Sequence, residues 1–160
     1  MVPSAVTLRL ASAQDAPAMA AMSRDLIEAG LEWRYSPARI ARLIEHPDTI
    51  ALVACDASGL QGFAIMEFGD ETAHLVLLCV RPTQRRLGIG RRLLVWLLES
   101  ARVAGIASLH LELRADNGEA YAFYRRFGFS ETIVVPGYYG GRIAAIRMLR
   151  VLRAPTSASS

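Results

Sequence analysis

The sequence predicts an α/β domain built around one mixed β-sheet, and two patterns carry this prediction. Short alternating or continuously apolar segments, typical of strands, are interleaved with longer segments whose apolar residues recur at helical spacing. Their order along the chain is β-α-α-β-β-β-α-β-α-β-β. A chain of 160 residues suits one domain with a single core. We therefore expect a single domain over residues 1–153, followed by a polar, disordered tail at 154–160.

The first part of the chain predicts one strand and two helices. Residues 6–11 alternate as a strand, and a helix with one apolar face follows from Ser12 onward. Capping residues mark the second helix, because Ser36 is a favoured N-cap and proline, here Pro37, is tolerated at the first helical position. The His-Pro-Asp run at 46–48 ends this helix.

Three strands are expected next, at 50–55, 61–68 and 73–80. The link at 56–59, Asp-Ala-Ser-Gly, has the composition of a hairpin loop. The third segment, AHLVLLCV, is apolar along almost its whole length. A continuous apolar run predicts a strand buried on both faces in the middle of the sheet.

A helix at 89–104 and an alternating strand at 108–114 follow. Leucines occupy one face of the helix, and Gly105 is a suitable residue to end it. On the strand, three leucines point one way, while the polar side chains of His110, Glu112 and Arg114 point the other way.

The last elements are a helix at 118–127 and two strands at 129–135 and 142–150. Gly128 closes the helix, and the segment PGYYGG, residues 136–141, is expected to lie between the two strands. The complete set predicts about six to seven strands and about four helices in one layered α/β domain.

Composition excludes several classes of function. The net charge is +3, the 18 basic residues are all arginine, and no aromatic platform separates them, so we expect no nucleic-acid partner. The apolar runs are too short to span a bilayer and no signal peptide is recognised, so we expect no membrane association. The two cysteines, Cys55 and Cys79, form neither a metal pattern nor a disulfide framework, which favours the cytoplasm and no bound metal.

The run RRLGIG at 85–90 indicates an anion-binding loop, and three forms of such a loop compete. A P-loop requires a lysine after its last glycine, but Arg91 follows Gly90 and the chain has no lysine. A dinucleotide fingerprint requires a third glycine where the chain has Leu93, and it belongs to a first βαβ unit rather than to mid-chain. The third form, a strand followed by R-x-x-G-x-G at the start of a helix, fits.

The third form suits a pyrophosphate for physical reasons. Glycines let the backbone approach a ligand closely, and the first N–H groups of a helix have no intrahelical partner and favour negative charge. Neighbouring arginines add charge-assisted hydrogen bonds. The alternative is a helix start that happens to contain glycine, with its arginines in solvent.

Two segments resemble the GCN5-related N-acetyltransferase (GNAT) superfamily. The first is VRPTQRRLGIGRRLL, which is similar to the acyl-CoA-binding motif, and the second is LxLELRADNxxAxxFYxxxGF at 109–129. The resemblance implies a mostly antiparallel sheet and acetyl-CoA as co-substrate, with backbone groups of residues 86–91 holding its pyrophosphate. It implies these cofactor-binding residues: Leu78, Cys79, Val80, Arg85, Arg86, Leu87, Gly88, Ile89, Gly90, Arg91, Asn117 and Tyr124.

The same resemblance implies the residues that do the chemistry. Tyr124 matches the tyrosine that points at the sulfur, and a phenol with a pKa of about 10 can protonate a departing thiolate. Glu112 is the candidate base, working through water, and Glu67 is its rival. The alternatives are a core tyrosine and a structural carboxylate paired with an arginine such as Arg114.

Other reactive side chains are expected to be structural. His74 and His110 are single histidines on strands, for which a core or surface role is favoured over catalysis. Cys79 lies where the acetyl group is expected and could form an acyl-enzyme. The superfamily transfers the acetyl group directly, so we expect this thiol to contribute packing only.

The second segment is similar to the RimI-like branch, whose members acetylate protein N-termini, notably of a ribosomal protein. Within this resemblance Tyr138 and Tyr139 would line a peptide groove, and the link at 31–35 would cover the acceptor site, with Trp33 as a wall of that site. The alternatives are surface tyrosines in a glycine-flanked turn and a packing role for Trp33. The chain departs from the branch before its last strand, where it reads GGRIAA and the branch often has an acidic residue. A small amine or antibiotic as acceptor, and a non-catalytic acyl-CoA sensor, therefore stay open, as does a monomer or a homodimer.

Overall fold

The computed structural model describes residues 5–85 and 87–153, and it confirms the predicted order of elements. The helices are α1 (Ala16–Met22), α2 (Pro37–Glu45), α3 (Ile89–Val103) and α4 (Gly118–Arg126). The strands are β1 (Thr7–Leu10), β2 (Thr49–Asp56), β3 (Gly59–Phe68), β4 (Thr72–Val80), β5 (Ser108–Arg114), β6 (Ser130–Tyr139) and β7 (Ile143–Val151).

The strands follow the order β1-β2-β3-β4-β5-β7-β6 in one seven-stranded sheet. Pairing is antiparallel for β1–β2, β2–β3, β5–β7 and β6–β7, and parallel for β4–β5. The parallel pairing joins Thr72–Leu75 to Ser108–Leu111, so it ends part-way along both strands. The mixed, mostly antiparallel sheet agrees with the fold class predicted from the sequence.

The chain divides into two compact units. One comprises Met1–Glu67 with Val76–Leu97, and the other comprises Phe68–Leu75 with Leu98–Ser160. The single domain expected from the sequence stays a prediction. The tail at 154–160, for which disorder is expected, lies outside the described residues. Within the described residues no helix is long and apolar enough to cross a membrane.

The first unit is organised by a core under α1 and α2. Ser36 caps α2, since its hydroxyl accepts a hydrogen bond of 3.3 Å from the backbone N–H of Arg39, as its sequence position predicts. The long first helix expected from periodicity is divided into a 3₁₀ turn, α1 and a π-helical segment at Ser23–Ile27. The buried side chains that form this core include Met19, Met22, Ile40, Val53, Phe63, Ile65 and Leu77.

The second unit contains the alternating strand β5, with the two faces that its sequence predicts. Leu109, Leu111 and Leu113 are buried. The antiparallel partner β7 places Arg147 directly opposite Glu112. One face of β5 therefore belongs to the core, while its other face carries polar side chains.

Two expectations about strands are wrong. The apolar strand β4 is not buried on both faces, because buried residues alternate along it with half-buried ones such as His74 and Val76. An apolar run shows that side chains tolerate burial, and it does not require a second layer to cover them. The segment at 136–141 is not simply a connection, since β6 continues through Pro136 to Tyr139. A register shift between Val135 and Tyr139 accommodates the proline on this edge strand.

Candidate active site

The loop between β4 and α3, in the first unit, has the geometry of an anion site. Gly88 has φ +79, a backbone conformation that side-chain-bearing residues rarely adopt, and a Cβ added there would meet nothing within 4 Å. The carbonyl oxygen of Gly88 accepts the backbone N–H of Arg92 at 3.0 Å, which places Gly88 at the start of the helix. The backbone of this loop is therefore open to a ligand. Arg86, predicted to bind the pyrophosphate, lies outside the described residues.

The remaining predicted residues of this loop lie around the helix start. Gly90 is the second residue of α3, and Leu87 is exposed. Arg85 and Arg91 are also exposed. The loop thus presents backbone N–H groups and positive charge, the two features that a pyrophosphate needs.

Gly62, on β3, is a residue that the sequence reasoning missed. A Cβ at this position would lie 2.9 Å from the carbonyl oxygen of Cys79 and 3.3 Å from Cγ2 of Ile89. Glycine is therefore needed for β3 to pass close to the end of β4 and the first residue of α3. A glycine inside a strand segment was the available sequence signal, since it often marks a close backbone approach.

The three predicted residues at the end of β4 are Leu78, Cys79 and Val80, and Cys79 is buried among core side chains. Burial raises the pKa of its thiol to about 12, against a smaller opposing effect from Arg85 and Arg81. A thiol with this pKa forms little thiolate at neutral pH and is a poor nucleophile. The burial of Cys79 among core side chains agrees with the packing role predicted for it.

Glu112, in the second unit, has side-chain partners on both neighbouring strands. Its Oε2 lies 2.5 Å from Nε2 of His74 on β4, and its Oε1 lies 3.5 Å from Nε of Arg147 on β7. The hydrogen bond from His74 lowers the pKa of Glu112 below its ordinary value of 4.5, against the opposing effect of burial. Smaller contributions come from Arg147 and His110. The candidate base is therefore an ionised carboxylate.

Two neighbours on β5 have other partners. Nε2 of His110 lies 2.8 Å from Oγ of Ser108. Arg114, the arginine considered as a partner for Glu112, forms an ion pair of 3.1 Å with Asp116. The sequence predicts a core or surface role for His74. Its contact with Glu112 depends on the pairing of β4 with β5, which local sequence patterns do not show.

Tyr124 and Asn117 lie on and before α4. Tyr124 is 7% exposed, and its ring packs edge-on against Phe129 with centroids 5.6 Å apart. The ring of Tyr124 is therefore packed among aromatic neighbours. Asn117 is the N-cap of α4, and its Oδ1 accepts the backbone N–H of Ala120 at 3.1 Å. Its side-chain NH₂ is the group left for the pantetheine contact that the resemblance implies.

Glu28 organises the link between α1 and α2, and the sequence reasoning missed it. This buried carboxylate accepts hydrogen bonds from the backbone N–H of Arg34 at 2.7 Å, from that of Tyr35 at 3.3 Å and from Oγ of Ser23 at 2.9 Å. Trp33 lies within this pinned segment, is 39% exposed and has the guanidinium of Arg24 5.4 Å from its ring centroid. The link is therefore a fixed structure that presents an aromatic face.

Three further predicted residues lie near strand ends. Glu67, the rival base, is half-buried on β3 and lies opposite Thr49 of β2. Tyr138 and Tyr139 are on β6, with ring centroids 4.9 Å apart, and Tyr139 lies opposite Ile143 of β7. Tyr138 is exposed and Tyr139 is half-buried. The roles assigned to all three stay predictions.

The element order and the glycine-opened helix after β4 agree with the acyltransferase fold that the resemblance implied. The model of the acetyltransferase (GNAT) family matches residues 19–129, which is more than half of the chain. The chain belongs to this family.

Known proteins with a similar sequence or a similar structure include N-acetyltransferases and Ard1. The [ribosomal protein bS18]-alanine N-acetyltransferase of Escherichia coli (strain K12) is 38% identical over 92 residues, which are 56% of this chain and 62% of that protein. The match thus spans less than two thirds of the curated relative. The crystal structure of the Escherichia coli ribosomal-protein-S18-alanine N-acetyltransferase has a TM-score of 0.82 at 26% identity and covers 98% of this chain and 99% of that one. Ard1 from Thermoplasma volcanium also has a TM-score of 0.82, at 28% identity, with 94% and 99% covered.

Proposed function

We propose that this chain moves the acetyl group of acetyl-CoA directly to a primary amine. The observation that carries the proposal is the carboxylate of Glu112, held by His74 and Arg147 in a chain of the acetyltransferase (GNAT) family. Attack on a thioester requires a neutral amine, so a proton acceptor is needed when the amine arrives as an ammonium ion. Glu112 is assigned this role, and Glu67 stays its rival.

The other roles follow the family resemblance. Backbone groups of residues 87–91 bind the pyrophosphate, and Gly88 supports this because its conformation leaves the loop backbone accessible. A backbone N–H near Val80 stabilises the oxyanion. Tyr124 protonates the departing thiolate and regains its proton from solvent. The overall change is balanced: an ammonium ion and acetyl-CoA give an amide, free CoA and one proton.

We propose further that the acceptor is the N-terminal α-amine of a protein. The support is a relative that acetylates the alanine of ribosomal protein bS18 and that is 38% identical over the matched part. The fixed link with Trp33 is assigned to the acceptor side. A cytoplasmic location belongs to the same proposal, and the free thiols of Cys55 and Cys79 support it because such thiols persist in a reducing compartment.

A small amine is the second candidate acceptor, and one observation favours it. The segment before β7 is Gly140-Gly141-Arg142, which brings a positive charge where the RimI-like branch often has an acidic residue. A positive charge there would disfavour a cationic peptide N-terminus and favour an acceptor that also carries an acidic group.

A thiol-release assay with acetyl-CoA tests both candidates. The acceptors are a peptide beginning with alanine, the same peptide with a blocked N-terminus, peptides with other first residues, and small amines with and without a carboxylate. Turnover of the open peptide but not of the blocked one supports the N-terminal acceptor. Turnover of small amines alone supports the second candidate.

A variant of Tyr124 tests whether this residue takes part in catalysis rather than in acetyl-CoA binding. Tyr124→Phe should lower kcat roughly ten- to ten-thousandfold, while calorimetry shows acetyl-CoA affinity close to that of the wild type. Binding of acetyl-CoA without thiol release from any amine would identify a non-catalytic acyl-CoA sensor and overturn the proposal.

A further inference from the structure

Gly62 lies where three elements of the first unit meet. It is a buried residue of β3, and the atoms nearest to a Cβ added there belong to the end of β4 and to the first residue of α3. The carbonyl oxygen of Cys79 would lie 2.9 Å from that Cβ, and the Cγ2 atoms of Val80 and Ile89 would each lie 3.3 Å from it. These three neighbours are also among the residues that the family resemblance assigns to acetyl-CoA binding.

Close contact, rather than backbone conformation, requires glycine at this position. Gly62 does not have the left-handed φ of Gly88, so its backbone angles suit other residues too. A separation of 2.9 Å between a Cβ and a carbonyl oxygen is shorter than folded proteins tolerate, and a backbone oxygen cannot turn away as the end of a flexible side chain can. An added methyl group must therefore displace β3, the end of β4 or both.

Two hydrogen bonds from Arg81 join the same stretch of β3 to the residue that follows β4. The backbone N–H of Arg81 donates to the carbonyl oxygen of Gln61 at 2.9 Å, and its Nε donates to that of Leu60 at 2.8 Å. Gln61 is itself buried, and its side-chain amide donates to Oδ1 of Asp56, the last residue of β2, at 3.0 Å. Residues 60–62 are thus tied to the β2–β3 hairpin and hold the chain where it leaves β4.

We propose that Gly62 is a positioning residue for acetyl-CoA, because its missing Cβ lets residues 60–62 hold the end of β4 close to the start of α3. This inference rests on the proposed function, in which the loop between β4 and α3 binds the pyrophosphate and a backbone N–H near Val80 stabilises the oxyanion. One ligand then contacts both ends of the loop, so the separation of these ends has to suit the ligand. A site that is fixed in advance binds more tightly, since less ordering is required when the ligand arrives.

A glycine needed only for the packing of the sheet would affect stability alone. Gly69, in the turn between β3 and β4, provides the comparison, because a Cβ added there would lie 3.0 Å from the carbonyl oxygen of Thr72. The steric conflict is of the same kind, and Gly69 does not have a left-handed φ either. Gly69 belongs to the second unit, however, and the atoms nearest to its added Cβ are both from Thr72. The two glycines therefore separate an effect on the ligand site from an effect on the sheet.

Calorimetric titration with acetyl-CoA and with CoA tests the proposal in Gly62→Ala and Gly69→Ala. We expect both ligands to bind Gly62→Ala roughly ten- to hundredfold more weakly than the wild type, because the added methyl group misplaces the backbone that contacts them. Gly69→Ala should bind both ligands with wild-type affinity, whatever stability it loses in urea unfolding. Wild-type affinity in Gly62→Ala overturns the proposal, and so does an equal loss of affinity in the two variants.

Steady-state kinetics adds a second comparison with any amine that the enzyme acetylates. The KM for acetyl-CoA should rise in Gly62→Ala by about the same factor as the dissociation constant, roughly ten- to hundredfold. The KM for the amine should stay at the wild-type value, because the displaced atoms belong to the acetyl-CoA side. An equal rise in both KM values would indicate a general distortion of the enzyme and would overturn the positioning role.

Amide hydrogen exchange in the wild type keeps the proposal testable if Gly62→Ala does not fold. The N–H of Arg81 donates to Gln61, so it should exchange slowly before any ligand is added. Saturating CoA should slow its exchange no more than it slows that of the amides at the centre of β3. Fast exchange of the Arg81 N–H that becomes slow only with CoA would show that the ligand, and not β3, orders the end of β4. That result would overturn the proposal.

Failure of the proposed function gives a different pattern. A wild type that binds no acetyl-CoA would remove the ligand site, and the role of Gly62 with it. A wild type that binds acetyl-CoA but releases no thiol with any amine would remove catalysis only. In that case the affinities of the two glycine variants still decide whether Gly62 positions the ligand site.

Discussion

Glu28 and Glu112 show two ways in which this chain uses a carboxylate away from bulk solvent. Glu28 is buried and accepts hydrogen bonds from two backbone N–H groups and a serine hydroxyl, all of which are neutral. Glu112 is partly exposed and is held by an imidazole and a guanidinium. Neutral backbone donors fix the path of a segment, whereas ionisable partners lower the pKa of the carboxylate that they contact. The difference separates a structural carboxylate from a candidate catalytic one.

Substitution of Glu112 should produce the largest effect. Glu112→Gln keeps the shape of the side chain but removes the proton acceptor, so we expect kcat/KM to fall by roughly a hundred- to ten-thousandfold. Steady-state kinetics with the best acceptor of the panel measures this loss. The matched variant Glu67→Gln removes the rival base, and a larger loss there would transfer the role of base to Glu67.

Removal of the Glu28 carboxylate should have the next largest effect, which is a fall in the free energy of unfolding. Glu28→Ala leaves the buried hydroxyl of Ser23 and the part-buried backbone N–H of Arg34 without their acceptor, so the free energy of unfolding should fall by about 3 kcal/mol. Urea unfolding measures the change. Glu32→Ala, at an exposed position of the same link, should change it by less than about 0.5 kcal/mol. Equal losses in the two variants would remove the structural role of Glu28.

A smaller effect is expected in the pH dependence of stability, and the pKa of Glu112 fixes its direction. The pKa of Glu112 is lower in the folded state than its ordinary value of 4.5, mainly because His74 donates a hydrogen bond to it. Its contribution to stability is therefore present above pH 4.5 and is lost as the pH falls through the folded-state pKa. The difference in unfolding free energy between the wild type and Glu112→Gln should shrink between about pH 6 and about pH 3. A difference that grows on acidification would contradict the lowered pKa.

Removal of Arg147 should produce the smallest effect. Its guanidinium is 46% exposed and lies 3.5 Å from the carboxylate, a geometry that contributes little in solvent. Arg147→Met should change the unfolding free energy by less than about 1 kcal/mol, and its kinetic effect should be smaller than that of Glu112→Gln. If the two variants lose equal activity, Arg147 is as important to the reaction as Glu112.

Local sequence patterns predicted most of the fold. The cap at Ser36, the alternating faces of β5 and the glycine start of α3 were all visible as short patterns, because each depends on residues close together in the chain. The spacing of apolar residues gave wrong predictions where the burial of a strand depended on the layer that covers it, or where its length depended on its place at the edge of the sheet. The half-buried face of β4 and the extension of β6 through Pro136 are the two examples.

The candidate site was predicted in part for the same reason. The glycine loop, Glu112 and Tyr124 occur in contiguous motifs, so the family resemblance was able to predict roles for them. Gly62 was missed because its importance comes from a contact with Cys79, 17 positions away in the chain. The contact of His74 with Glu112, 38 positions away, was invisible for the same reason, and the core or surface role predicted for His74 stays a prediction.

The sequence by itself predicted the order of elements from local spacing, and two contiguous motifs carried the resemblance to the family that the family model confirms. The anion-binding role of the glycine loop stays a prediction. Only the tertiary structure decided what surrounds the two carboxylates. Strand pairing brought His74 and Arg147 to Glu112, and the folded link brought two backbone N–H groups to Glu28. Ionisation and hydrogen bonding depend on neighbours within a few ångströms, and folding alone brings those neighbours together.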